Sequence, residues 1–323
     1  MQRRDLLKAL TATAMLPAAN SSLAAPVDQA KMLVGYVPGT ATDGLARLLG
    51  ERMRGDYANN FVVENRAGAS GQLALGVVKS APPDGKTILV SPIMTLVVVP
   101  HTFSKVSFDP FKDLVPIGNS VTTDFVLVVG PAVPESVKTL QHFAAWCKAN
   151  PAKSTYATGA TGTKVHFSGV RFAQSAGFNF THAGYTSNST ALTDTASGNV
   201  PAYIGSVSTV LPFLDRVRVI GVMGARRSRF LPEVPTFVES GYKDMVIDEA
   251  ISLYLPARTP QDAVQRMHAA MVKALSTPEA ARTLTTLGLE ATPSSQAEMA
   301  AKIKTEYEQW GRFVKELGFK QDS

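Results

Sequence analysis

Cysteine is almost missing from this chain of 323 residues, which contains only Cys147. A single cysteine excludes an intrachain disulfide and any metal site built from several thiolates. Cys147 follows Leu140 and Phe143 at helical spacing, which predicts a buried structural thiol rather than a nucleophile. The local motifs of serine hydrolases, zinc proteases and P-loop proteins are missing too. We therefore predict a protein that is not an enzyme, with no catalytic residue, no metal and no cofactor.

Long charged runs and long apolar runs are also absent. No five lysines or arginines occur in succession, and no apolar stretch reaches the roughly 20 residues that a membrane-spanning helix needs. The N-terminus places Arg3 and Arg4 before a short apolar stretch, residues 6–16, and ends in a small-residue cleavage pattern at Ser22-Leu23-Ala24. This order predicts an export signal over residues 1–24, with a twin-arginine-like start that leaves the Tat and Sec routes both open.

Removal of the signal takes away three basic residues and one acidic residue, so the formal net charge falls from +6 to +4. So small an excess, without a basic run, gives no support to nucleic-acid binding. We expect an exported periplasmic protein that is a monomer, binds a small molecule and binds no nucleic acid.

Short apolar runs alternate with helical patterns along the remaining chain. This rhythm predicts an α/β fold in which each lobe is a mostly parallel sheet flanked by helices. We predict one lobe from residues 26–125 and 250–323, a second lobe from residues 126–249, and a ligand cleft between them. Thr259-Pro260-Gln261-Asp262 predicts a helix with a threonine cap, and Ser295 with Glu298 predicts a capping box for the last helix, which ends at Gly318. The predicted strands are Lys31–Val37, Phe61–Glu64, Thr87–Ser91, Phe125–Val129, Thr155–Thr158, Val200–Gly205, Val217–Met223 and residues 248–255.

Two loops that start helices carry the strongest chemical signal. The loop 38–43 turns from the first strand into the first helix, and Thr40 with Asp43 fits a capping pattern. Free backbone N–H groups and the helix dipole at such a turn favour carboxylates or phosphates, although a capped helix without a ligand remains an alternative. The loop 159–163 is the corresponding turn in the second lobe. Arg66, beside a glycine turn, is predicted to be a surface or capping residue.

Further motifs extend this pattern along the chain: Pro38-Gly39 with Asp43, Val63-Glu64-Asn65-Arg66 with Gly68, Pro83-Asp84-Gly85, Phe108-Asp109-Pro110, Ala191-Leu192-Thr193-Asp194 and Pro232 to Thr236. Together these motifs resemble the Bug family, the extracytoplasmic solute receptors of tripartite tricarboxylate transporters. The resemblance spans nearly the whole mature chain in order. The chain departs from the family pattern at Thr186-Ser187-Asn188 and at Pro201 and Gly205.

The resemblance implies a two-lobed type II periplasmic binding protein fold and membrane transporter subunits as partners. It also implies that backbone and hydroxyl donors hold a small molecule, for which we expect a carboxylate. For His166, a structural role and ligand contact are both open. A sensor that signals to a membrane partner and an exported hydrolase remain alternative functions. The expected ligand-binding residues are Gly39, Thr40, Ala41, Thr42, Asp43, Ser91, Thr161, Gly162, Thr163, His166 and Tyr185.

Overall fold

The computed structural model describes residues 26–321. The predicted export signal, residues 1–24, lies outside the described residues. The strands are β1 (Val27–Val34), β2 (Ala58–Asn65), β3 (Thr87–Pro92), β4 (Leu114–Val129), β5 (Thr155–Thr158), β6 (Thr181–Gly184), β7 (Ala202–Ser206), β8 (Arg218–Val222), β9 (Asp248–Pro256) and β10 (Glu290–Ala291).

Helices connect most of these strands. Both ends of the last and longest helix are as predicted, because Ser295 and Glu298 form the capping box and Gly318 ends the helix in the left-handed conformation. The helices are α1 (Ala41–Arg52), α2 (Gln72–Lys79), α3 (Met94–Val97), α4 (Val99–Thr102), α5 (Leu140–Ala149), α6 (Lys164–Ala176), α7 (Asn188–Ala196), α8 (Val207–Val210), α9 (Gln261–Leu275), α10 (Pro278–Thr286) and α11 (Gln296–Leu317).

The strands form two sheet regions that share one long strand. The order is β2-β1-β3-β9-β4-β7-β5-β6, and β8 and β10 also pair with β4. Strands β1, β2 and β3 are parallel, as are β5, β6 and β7. Residues 114–124 of β4 pair with β9, whereas its last five residues, Phe125–Val129, pair with β7 and β8. The chain therefore passes from one lobe to the other inside a continuous strand.

Apolar side chains fill separate cores on the sheet faces. In the first lobe, α1 and α9 pack Leu45, Leu49 and Met267 against strand residues such as Met32 and Val90. These side chains recur at three- and four-residue spacing along their helices, so one stripe of each helix is removed from water. Cys147 is also buried, as predicted, and burial raises the pKa of its thiol to about 11. An unreactive structural thiol is the consequence.

Several details differ from the sequence-based expectations. The first strand, expected at residues 31–37, is Val27–Val34. The strand expected at 125–129 begins eleven residues earlier, at Leu114. β6 and α7 lie in a region for which no element was expected. Finally, the helix expected to have Thr259 as its cap begins at Gln261 with Pro260 in the cap position, because the Thr259 hydroxyl donates to the carbonyl of Pro256 instead.

Candidate functional site

Strand directions place two edges of the sheets opposite each other. β3 and β4 are both antiparallel to β9, so β1, β2 and β3 run in the direction in which β4 enters the second lobe. β7 is antiparallel to β4, so β5, β6 and β7 run back towards the first lobe. The carboxyl ends of both sets of parallel strands therefore face the junction between the lobes. Ligands of open α/β sheets bind at such carboxyl ends.

The loop after β1 supplies the first set of donors at this junction. Gly39 turns with φ of 85°, and the Thr40 side chain accepts a hydrogen bond from the backbone N–H of Asp43. Ala41 and Thr42 lie between these two residues, and their backbone N–H groups make no hydrogen bond within residues 26–321. Unpaired N–H groups in the first turn of a helix are a favourable place for an anion.

Asp43 anchors this loop. Its carboxylate is almost fully buried and accepts hydrogen bonds from the Gly39 N–H at 3.0 Å, from Arg47 at 3.0 Å and from Asn65 at 2.9 Å. Burial opposes ionisation, but the hydrogen bonds from Arg47, Gly39 and Asn65 outweigh it and lower the pKa of Asp43. Asp43 is thus an ionised carboxylate with its acceptor capacity already in use. It positions the loop.

Three residues at this edge were not expected from the sequence as site residues: Tyr36, Ser70 and Thr95. The Tyr36 hydroxyl lies 3.0 Å from the Thr95 hydroxyl, which in turn donates to the carbonyl of Ser70. Ala69 and Ser70 have positive φ angles of 45° and 54°, which are rare for residues other than glycine and are found most often at functional sites. The loops after β1, β2 and β3 are therefore linked through one polar cluster. Only the fold brings these distant positions together.

The loop after β5 supplies the second set of donors. The Thr163 hydroxyl donates to the carbonyl of Ala160, and the Gly162 N–H donates to Nδ1 of His166 at 3.2 Å. Thr161 makes no hydrogen bond to another described residue. Its hydroxyl and backbone N–H are consequently available to a ligand.

Two stacked histidines, His166 and His182, pack against this loop. Their rings stack with centroids 3.9 Å apart, and Nε2 of His182 lies 2.8 Å from the Thr158 hydroxyl. Burial, with a smaller effect of the neighbouring ring, lowers the pKa of His166 to about 3, and burial lowers the pKa of His182 to about 4. Both rings are neutral at physiological pH. Of the two roles left open for His166, these contacts favour the structural one, because its Nδ1 accepts the N–H of the loop.

Two other residues that were expected to contact the ligand use their hydroxyls in hydrogen bonds within the protein. The Tyr185 hydroxyl donates to Asp194 at 2.8 Å. Ser91 is buried, and its hydroxyl donates to the carbonyl of Pro92. A group of hydroxyls that was not expected from the sequence lies at the end of β7. There the Ser206 hydroxyl is 2.7 Å from that of Ser208 and 3.0 Å from that of Thr209. These hydroxyls belong to the same edge of the second lobe as the loop after β5.

A buried charge network joins the lobes beside α6. Lys164, the first residue of α6, is fully buried and lies 2.7 Å from Glu306 of α11 and 3.7 Å from Glu249 of β9. Burial would lower the pKa of Lys164, but Glu249 and Glu306 outweigh this effect and raise it. Burial also raises the pKa of Glu249 to about 7 in spite of Lys164. A cavity of about 370 Å³ borders the network and is lined by Lys164, Asp248, Lys302 and Glu306 among others.

Two α/β lobes with facing carboxyl edges, rich in neutral donors, define a solute-binding protein of the two-lobed periplasmic type. A family model described as "Tripartite tricarboxylate transporter family receptor" matches residues 45–319. The chain belongs to this family. This match confirms the predicted resemblance, and the similarity to solved periplasmic binding proteins described below confirms the predicted two-lobed fold. Within residues 26–321, no helix is both long and apolar enough to cross a membrane.

Individual relatives agree with this assignment. The UPF0065 protein in the tcbD-tcbE intergenic region of Pseudomonas sp. (strain P51) is 31% identical over 88% of this chain and 84% of its own length. The structure of the periplasmic binding protein BugD is 26% identical, has a TM-score of 0.79 and covers 92% of this chain and 100% of its own. An R. palustris protein solved with adipate is 25% identical, has a TM-score of 0.83 and covers 92% of this chain and 99% of its own.

Proposed function

We propose that the chain is an exported periplasmic receptor that holds a small carboxylate between its lobes and presents it to membrane transporter subunits. The observation that carries the proposal is the pair of facing edges, at which Ala41, Thr42 and Thr161 offer donors without partners among the described residues. Hydrogen bonds from neutral donors to an ionised carboxylate are charge-assisted, and they are strong in a cleft that excludes water.

A dicarboxylate suits this arrangement best, because each lobe can hold one end of the molecule. Adipate, which accompanies the R. palustris neighbour, is a ligand of this kind. We propose direct contacts from Thr40, Ala41 and Thr42 of the first loop and from Thr161 and Thr163 of the second. Gly39 and Gly162 would shape these loops, because their N–H groups donate to Asp43 and His166. Asp43, His166, Ser91 and Tyr185 would position these loops, since their polar groups are already engaged within the protein.

The division into lobes is also part of the proposal. We place residues 26–125 and 250–323 in the first lobe and residues 126–249 in the second. The change of partners along β4 supports a boundary near Phe125, where pairing with β9 gives way to pairing with β7.

A thermal-shift series on the purified mature protein tests the proposal. Dicarboxylates from succinate to adipate, and citrate, should raise the melting temperature, because a ligand that binds only the folded state stabilises it. Adipamide has the length of adipate without its charges and is the matched control, for which we expect no shift. If no carboxylate changes the melting temperature, the proposed function is wrong.

Two further measurements address the remaining parts of the proposal. The monoethyl ester of adipate, which has a bond that a hydrolase could break, should be recovered unchanged after prolonged incubation, as judged by NMR, since a receptor performs no chemistry. Deletion of the gene should abolish uptake of the carboxylate that the protein binds, and a copy without residues 1–24 should not restore uptake. A chemically altered product would favour the hydrolase alternative, and normal uptake in the deletion strain would favour the sensor alternative.

A further inference from the structure

Asn188 lies at the carboxyl edge of the second lobe, as the first residue of α7 just after β6. Its side-chain oxygen accepts two hydrogen bonds, from the Gly159 N–H at 3.2 Å and from the Tyr203 hydroxyl at 3.0 Å. Because a backbone N–H can only donate, the side-chain atom that faces Gly159 is the oxygen and not the nitrogen. The orientation of the amide is thereby fixed.

Two glycines make room for this arrangement. A side chain at Gly205 would overlap the hydroxyl of Tyr203, and a side chain at Gly159 would overlap the amide of Asn188. Tyr203 itself is fully buried, and burial raises the pKa of its hydroxyl, so the group stays protonated and donates. The two glycines, the tyrosine and the asparagine therefore form one unit at the end of β5, β6 and β7.

The other end of the Asn188 amide is free. Its NH₂ group makes no hydrogen bond to any residue of 26–321, and the residue is exposed. A rigid neutral donor therefore stands beside the loop 159–163 at the edge that faces the first lobe.

Two carboxylates at these edges, those of Asp194 and Asp43, accept hydrogen bonds from other residues of the protein. Asp194 accepts the Tyr185 hydroxyl and the Asn199 amide, and Asp43 accepts Gly39, Arg47 and Asn65. An amino acid held between these edges would need an acceptor for its ammonium group. Asp43 already accepts four hydrogen bonds, and both oxygens of Asp194 face Tyr185 and Asn199. Burying an ammonium group without such a partner is costly.

We propose that Asn188 is a specificity-determining donor, and that with it the cleft selects carboxylates that lack an amine over the corresponding amino acids. The proposal rests on the proposed function and narrows its ligand class. Asn188→Asp is a sharp test, because an aspartate oxygen still accepts from Gly159 and Tyr203 while the free donor becomes a negatively charged acceptor.

The experiment compares matched pairs by calorimetry: succinate with aspartate, glutarate with glutamate, and adipate with 2-aminoadipate. For the wild type we expect the amine-free member of the best pair to bind at least about tenfold more tightly. Asn188→Asp should weaken that ligand by about 10- to 100-fold, the range for a lost hydrogen bond to a charged group. Asn60→Asp, which adds the same charge on the exposed outer strand β2, should leave affinity within about twofold.

The outcomes separate the two proposals. If no carboxylate binds the wild type, the proposed function fails and this inference fails with it. If carboxylates bind but the amino acid is preferred or equal, the selectivity for amine-free ligands is wrong. If Asn188→Asp binds as the wild type does, Asn188 is not the determinant. The wild-type pairs decide the ligand class even if the variant does not fold.

Discussion

Gly39 sets the geometry of the first loop at the scale of a single residue. Its φ of 85° lies in the left-handed region, and a Cβ built there would contact nothing within 4 Å. Space therefore does not require glycine at this position, but the backbone conformation does. The Gly39 N–H donates to Asp43, so any change of φ at Gly39 also moves the anchor of the loop.

Gly39→Val is expected to weaken carboxylate binding. A β-branched residue at this φ costs on the order of 1–3 kcal/mol, and relaxation of the loop would turn the Ala41 and Thr42 N–H groups away from the ligand. We expect the affinity for the best carboxylate to fall by roughly 5- to 150-fold, measured by calorimetry.

Gly241→Val is the matched control for Gly39→Val. Gly241 has a φ of 92° and equally open surroundings, but it lies in the segment between β8 and β9. We expect it to lower the free energy of unfolding by a similar amount and to leave affinity unchanged. Equal losses of affinity in both variants would show that general destabilisation is responsible and would contradict the assigned role of the loop.

Sequence patterns predicted the local part of the site but not its long-range part. The cap joins Thr40 and Asp43, which are three positions apart, so a short motif is enough to reveal it. The pairing of Asn188 with Tyr203 joins residues of two different elements, and it depends on a tyrosine that was expected only as part of a strand. Such contacts follow from strand order, which no local pattern contains.

At the scale of elements, helix α6 brings a buried charge to the junction. Lys164 of α6 contacts Glu249 of β9 and Glu306 of α11. Lys302 belongs to the same network, because it pairs with Asp248 at 3.1 Å and with Glu306 at 2.9 Å. Removing one partner of a buried ion network leaves another charge without compensation, whereas neutralising a group whose ionised form is already unfavourable costs less. Glu249 is such a group, because burial raises its pKa to about 7.

Glu249→Gln is expected to change how stability depends on pH. The pKa of Glu249 rises from an ordinary 4.5 to about 7 on folding, so the folded state holds the proton more tightly. Its contribution is fully present below pH 4.5 and is lost as the pH rises through 7. Relative to the glutamine variant, the wild type should gain about 2–3 kcal/mol between pH 8 and pH 5, measured by urea unfolding.

The comparison with the variant is needed because other groups titrate in this range. His166 and His182 have lowered pKa values in the folded protein, so they destabilise it as the pH falls below about 6.5, opposite to Glu249. These contributions are the same in both proteins and cancel in the difference. Glu308→Gln, an exposed change on α11, is the control and should follow the wild type. A Glu249→Gln curve parallel to that of the wild type would contradict the raised pKa.

Most elements could be predicted from sequence because each has its own hydrophobic period. The first half of β4 could not, because Gly118, Asn119 and irregular pairing with β9 interrupt the alternation. β6 could not either, since its four residues are only partly buried or exposed and carry no apolar run. β4, the strand that links the lobes, is thus one of the elements that a periodic pattern describes least well.

At the scale of the whole molecule, that same segment favours a hinge. The register of β4 shifts against β9 between Pro116 and Gly118 and again between Asn119 and Val121, and it shifts against β8 between Leu127 and Val128. Such irregularities bend a strand locally. The donors of the two edges hold the two ends of one small ligand when the edges lie close together, so we expect ligand binding to favour a closed arrangement of the lobes.

Solution scattering tests this coupling directly. Saturating adipate should reduce the radius of gyration of the wild type, because it adds contacts that exist only when the edges are close. Adipamide should not, and neither should adipate with Gly39→Val at concentrations that saturate only the wild type. If calorimetry shows that adipate is bound while the radius of gyration stays the same, the lobes do not close on the ligand. The loops of one lobe would then have to provide the whole site, in conflict with the division of donors between the two edges.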